Sequence, residues 1–200
     1  MPTSRRAFTL VELMITVAII GVLAALATVG LRKQIAHAKS AEAKSHVSGI
    51  TRGAVGAYER ETTDSELAAE GSSSSGNAHD VCNTADIVPV NVPAGTKYQP
   101  RTGEGKDFDT GDTQSGWKCV KFSVSQAIYF RLTYKRGTAS QVAPANPATI
   151  AGSSKAFEAA AEGDLDADGL TSKYVRTGKV NLTTQQMVLS THVYVENDGE

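Results

Sequence analysis

Asp164, Asp166 and Asp168 alternate along the chain and are followed by Gly169. Alternation sends three carboxylates to one side, and glycine permits a sharp turn, so the run has the front half of a calcium-binding loop. A full loop of that type has glutamate at its twelfth position, where this chain has Val175. Backbone carbonyls or Glu162 are the groups left to complete a site. The other reading is an acidic turn between two strands. Two cysteines, Cys82 and Cys119, permit one intramolecular bridge, two buried thiols or a bridge between subunits. None of the histidines at 37, 46, 79 and 192 has metal-ligand spacing with another, and His37 and His46 are expected on an exposed helical face. No nucleophile elbow, phosphate loop or dinucleotide fingerprint is present, so no enzyme activity is expected and a structural calcium is the one candidate cofactor. The fourth reactive feature is Glu12, an acid at the start of an apolar run.

The chain that must position these groups has 200 residues, 40% of them hydrophobic. That is enough for one domain with an appendage. Lys and Arg number 20 against 21 Asp and Glu, and the net charge is −1. Bulk electrostatic binding of nucleic acid needs a basic excess, and none exists. A fully disordered chain would be poorer in apolar residues or more highly charged. Aromatic residues make up only 6%, while glycines number 18, which predicts a loop-rich fold with thin strands.

The apolar residues are concentrated at the start. Residues 13–31 contain no charge. As a helix they extend roughly 28 Å, close to the ~30 Å hydrocarbon thickness of a bilayer. Arg5 and Arg6 precede the run and are expected to stay cytoplasmic, with the rest exported. A buried core helix would carry a polar stripe, and this one is apolar all round. Two readings then compete. Ala25-Leu26-Ala27 has the small-x-small pattern of a signal-peptide cut, which would release a soluble exported binding module. The other reading retains the helix. Glu12 separates them, because a carboxylate at that depth costs a few kcal/mol and a disposable segment gains nothing from it.

Ala7-Phe8-Thr9-Leu10-Val11-Glu12-Leu13-Met14 resembles the cleavage and methylation motif of type IV pilin precursors and pseudopilins. The resemblance covers about the first thirty residues. It implies that a prepilin peptidase cuts between Ala7 and Phe8 and methylates the new amine on Phe8. It implies that Glu12, the fifth mature residue, neutralises the amine of a neighbouring subunit during filament assembly. Two positions depart from the family pattern: Ala7 stands where glycine is usual, and Val29 stands where many members have proline. The implied partners are identical or homologous pilin subunits, the peptidase, an inner-membrane assembly platform and, before assembly, membrane lipid. The implied location is the inner membrane with a periplasmic head, then an extracellular filament. A pseudopilin of a type II secretion system is the alternative within the family. In the oxidising compartment outside the inner membrane, Cys82 and Cys119 are expected to be bridged.

The expected organisation is a leader (1–7), a transmembrane and filament-core helix (8–31), an amphipathic continuation (32–60) and a β-rich head (61–200). Val47, Ile50, Ala54 and Tyr58 fall on one helical face, so one helix is predicted from about 10 to about 60. Gly49, Gly53 and Gly56 on that helix suggest close approach of a sheet or an early end. Segments 61–77 and 141–147 read as loops. Strands are predicted at 117–124, 127–134, 157–161 and 173–177, with a terminal strand or extended tail at 187–195. The fold class is therefore α+β: a long N-terminal helix whose second half packs on a small antiparallel sheet, as in pilins.

Overall fold

The computed structural model describes residues 8–60, 79–137 and 155–199. The leader and the loops expected at 61–77 and 141–147 lie outside the described residues. Helix α1 runs over Leu10–Glu59 without interruption. Its 50 residues extend about 75 Å. No proline interrupts it, and the chain leaves through Arg60 in an extended conformation. The first half has no protein against it: Leu10, Leu13, Ile20, Leu23 and Leu31 are all more than half exposed. The second half buries Ala43, Val47, Ile50, Ala54 and Tyr58, the spacing of a single helical face.

That face packs on an antiparallel sheet of β1 (Arg131–Arg136), β2 (Ala156–Gly163), β3 (Ser172–Asn181), β4 (Gln186–Leu189) and β5 (Tyr194–Glu196). The order is β1-β2-β3-β4, and β5 also pairs with β3. The register places Leu132, Ala161 and Tyr174 in one row, and Tyr134 beside Ala159 in the next. Ala159 and Ala161 are small and fully buried, which lets the helix lie close to the sheet. Larger side chains fill the remaining space, with Tyr134 stacked on Phe157 and Phe130 edge-on to Tyr174. Each such aromatic contributes about 1.5–3 kcal/mol on burial. The last residues close the lower end: the Tyr174 hydroxyl donates to Asp198 at 2.8 Å and is hydrogen-bonded to the Ser40 hydroxyl at 2.9 Å. Lys44 pairs with the same Asp198 at 3.2 Å.

Four expectations are corrected. Residues 117–124 are not a strand: Gly116–Val120 form a short helix, α2, ended by Lys121 in a left-handed conformation. Trp117 and Val120 are three apart, so the run satisfies a helical turn as well as an alternation, and burial of both decides for the turn. The segment at 127–134 begins as an isolated pairing of Ile128 with Tyr98 and becomes β1 only at Arg131. The terminal segment is neither one strand nor a tail; β4 and β5 pair with different parts of the same edge of β3. His46 is not on the exposed face, since its side chain is only 18% exposed, 3.5 Å from Glu42 and edge-on to Phe122.

Burial pushes the His46 imidazole below its ordinary value, against the opposing pull of Glu42. The unfolded chain therefore takes up this proton at a higher pH than the folded chain. Stability from this group is complete above about pH 6.5 and falls as pH drops through the folded value. The unfolding temperature is expected to be lower at about pH 5.5 than at about pH 7.5. His46→Gln should remove that part of the difference, as differential scanning fluorimetry would show.

Candidate functional site

The N-terminal site starts at Phe8, which is 74% exposed, and at Thr9, the N-cap of α1. Ala7 lies outside the described residues. The Glu12 carboxylate accepts the Thr9 backbone N–H at 2.9 Å and the Thr9 hydroxyl at 2.7 Å. In return the Thr9 oxygen accepts the Glu12 N–H at 3.2 Å. This reciprocal pair is a capping box, and it satisfies donors that a helix start otherwise leaves open. Thr9 is the residue that sequence reasoning missed. Its signal was present, because Thr-x-x-Glu ahead of an apolar run is the capping-box pattern. The consequence is positional. Glu12 is turned back toward the end of the chain where Phe8 lies, not outward along the helix.

Leu10–Thr28 is long and apolar enough to cross a membrane, and none of it is buried by protein. Its side-chain hydroxyls are satisfied within the helix: Thr16 donates to the Leu13 carbonyl at 2.9 Å and Thr28 to the Ala25 carbonyl at 2.8 Å. A segment that enters hydrocarbon must satisfy its polar groups internally, and this one does.

The head supplies three further candidates. Cys82 and Cys119 form a disulfide with their Cα atoms 5.8 Å apart. It joins the chain entering the sheet region to α2. Tyr134 donates to the Cys82 carbonyl at 3.1 Å, and the Arg60 guanidinium donates to the Cys119 carbonyl. The bridge therefore lies where the end of α1, α2 and β1 meet.

Asp164, Asp166 and Asp168 lie on the connection between β2 and β3, with ligand atoms within 4.8 Å of one another. Asp164 is buried and the other two are exposed. The Asp164 carboxylate accepts N–H groups from Ala167 at 2.7 Å and Gly169 at 3.2 Å, and Asp168 accepts that of Leu170 at 2.7 Å. Ala167 is left-handed at φ 64°, as such a turn requires. These bonds tie Asp164 and Asp168 to the backbone of the turn itself.

An open cleft of about 940 Å³ runs beside Val88, Val90, Pro93, Tyr98, Arg101 and Asp107. Among the described residues lining it, Asp107 is the only buried acid. It accepts from the Tyr98 hydroxyl at 2.6 Å, the Arg101 N–H at 2.7 Å and the Arg101 guanidinium at 2.9 Å. Burial opposes the charge, and these hydrogen bonds outweigh it, holding Asp107 below the usual carboxylate range. A carboxylate so occupied staples its loop.

Residues 2–28 match the family described as the prokaryotic N-terminal methylation motif, the signature of type IV pilins and pseudopilins. The match ends within the apolar half of α1 and does not reach the head. No curated protein and no solved structure matches the chain.

Proposed function

We propose that this protein is a structural subunit of a type IV pilus-like filament. The observation that carries the reading is the methylation motif at 2–28 on a helix whose apolar half is covered by no protein. In this reading a prepilin peptidase cuts between Ala7 and Phe8 and methylates the Phe8 amine. The subunit waits in the inner membrane with its head in the periplasm. It is then drawn into an extracellular filament cored by helices 8–31. Small residues at Gly21, Ala24, Ala25 and Ala27 permit helices to approach closely once lipid is left behind. The protein acts mechanically and is not an enzyme.

Glu12 has a defined part in this sequence of events. In the separate subunit the Thr9 N–H and hydroxyl occupy its carboxylate, which reduces the cost of placing the acid in the membrane. During packing, the methylated amine of a neighbour competes for the same oxygens. A charge pair in that low-dielectric core sets axial register, and removing one partner leaves an uncompensated charge. Glu12→Gln is expected to leave membrane levels and cleavage unchanged and to reduce sheared filaments at least about tenfold, since even 1.4 kcal/mol per contact is a tenfold effect.

The mass and N-terminal sequence of the protein from cells test the whole reading. A chain starting at N-methylated Phe8 supports it. A chain starting at Thr28 removes Glu12 from any mature role and leaves an exported soluble module. Within the filament class, a type II secretion pseudopilin differs by the system that assembles it, and co-purification of the assembly platform separates the two.

The Asp164 turn is read as self-closed. Adding calcium is expected to leave the unfolding temperature of the chelator-treated protein within about 1 °C, because its backbone donors already occupy the buried carboxylate. A rise of several degrees that Asp166→Asn abolishes would instead establish a structural calcium.

A further inference from the structure

Two lysines from distant parts of the chain converge on one aromatic ring. The Lys39 ammonium, from α1, lies 4.4 Å from the Tyr129 ring centre, and that of Lys97, from the loop before Tyr98, lies 4.6 Å from it. The two charges are thus no more than about 9 Å apart and repel each other. The ring attracts both cations but carries no net charge to neutralise them. No carboxylate among the described residues forms an ion pair with either ammonium. Two acids on neighbouring segments are engaged elsewhere. Glu42, one turn along α1, pairs with His46. The acidic turn abuts the Lys97 loop, where Ala167 packs against Gly95, but its buried Asp164 is held by its own backbone. Lys97 is exposed, while Lys39 and Tyr129 are half-buried.

Position along α1 says what anion is within reach. The uncharged run ends at Leu31, and Lys39 follows eight residues later. That is about 12 Å along the helix axis. The headgroup layer extends roughly 5–7 Å beyond the hydrocarbon. A lysine stem directed downward covers the rest of the distance, as such side chains do at bilayer surfaces. The same end of the head holds the C-terminal residues, with Gly199 against Ala36 and Asp198 on Lys44, so this is the surface that faces the membrane. Tyrosine is itself enriched at that level.

We propose that Lys39 and Lys97, gathered by the ring of Tyr129, seat the phosphate of an anionic phospholipid while the subunit waits in the membrane. The seat fixes the height and rotation of the head above the bilayer, and extraction into a filament vacates it. The proposal rests on the reading that residues 8–31 span a membrane with the head outside.

The test uses the full chain in nanodiscs of phosphatidylcholine, with or without about one third phosphatidylglycerol. Lysine acetylation is followed residue by residue by mass spectrometry, with Lys121, at the far end of the head beside α2, as internal control. Lys39 and Lys97 are expected to react at least about threefold more slowly in the anionic discs, with Lys121 unchanged, as electrostatic attraction of about 1 kcal/mol per lysine implies. Lys39→Gln should abolish the protection of Lys97. Equal rates in both discs overturn the proposal. So does equal slowing of Lys121, which would show surface charge alone. Protection by inorganic phosphate in detergent would assign the seat to free phosphate. Protection that appears only in discs crowded with several subunits would assign it to a neighbour's carboxylate. Failure of the chain to enter discs at all refutes the membrane reading instead, so the two failures are distinct.

Discussion

Gly53→Ala is expected to lower the stability of the head by about 2–3 kcal/mol, although alanine is the better helix former by about 1 kcal/mol. A Cβ at Gly53 would stand 2.2 Å from the Val120 carbonyl oxygen and 3.0 Å from a Val120 methyl. That neighbour is backbone, so relief requires α2 to move. It is poorly free to move, because Cys119 is bridged to Cys82 and its carbonyl is held by Arg60. For a head of this size the loss corresponds to an unfolding temperature lower by roughly 5–10 °C. Gly56→Ala is the control. Nothing lies within 4 Å of a Cβ there, and the residue is exposed. It should stabilise the helix by up to about 1 kcal/mol. Thermal unfolding of the two variants in detergent distinguishes close packing from propensity. Equal effects would mean that α2 does not rest on the helix at this point.

Replacing both Cys82 and Cys119 by serine is expected to cost about 3–4 kcal/mol. The bridge closes a separation of 37 residues, and much of the enclosed segment is irregular loop. Within it, Phe108 and Trp117 reach the core and meet edge-on at 5.1 Å. The bridge holds both ends of that loop while these two rings anchor its middle. Reductant should bring the wild-type protein to the unfolding temperature of the double variant and leave the variant unchanged. A non-reducing gel that showed a covalent dimer of the wild type would refute the intramolecular bridge.

These two effects differ in what made them visible. An even cysteine count in a chain expected to be exported already suggested a bridge, but not that it would tie α2 to the segment at Cys82, beside the Arg60 contact at the end of α1. Gly53 suggested close approach of a sheet or an early helix end. It is a contact point, because the partner arrives from a segment nearly seventy residues away. Thr9 was legible and overlooked, since its hydrogen bonds with Glu12 span only three residues.

The sequence alone determined what depends on neighbours along the chain. The apolar run, the buried face at Val47, Ile50, Ala54 and Tyr58, the motif around Phe8 and Glu12, and the strands flanking the Asp164 turn all follow from periodicity over a few residues. Helix period, bilayer thickness and turn chemistry act on that scale. The tertiary structure decided what depends on residues far apart. Trp117 and Val120 turn helical because both must be buried. The terminal segment divides because β3 offers its edge to two short strands. His46 is covered because Phe122 comes to it. Lys39 and Lys97 share Tyr129 because the head returns to α1 beside Lys39. Local pattern leaves such choices nearly equal in energy, and burial at long range selects among them.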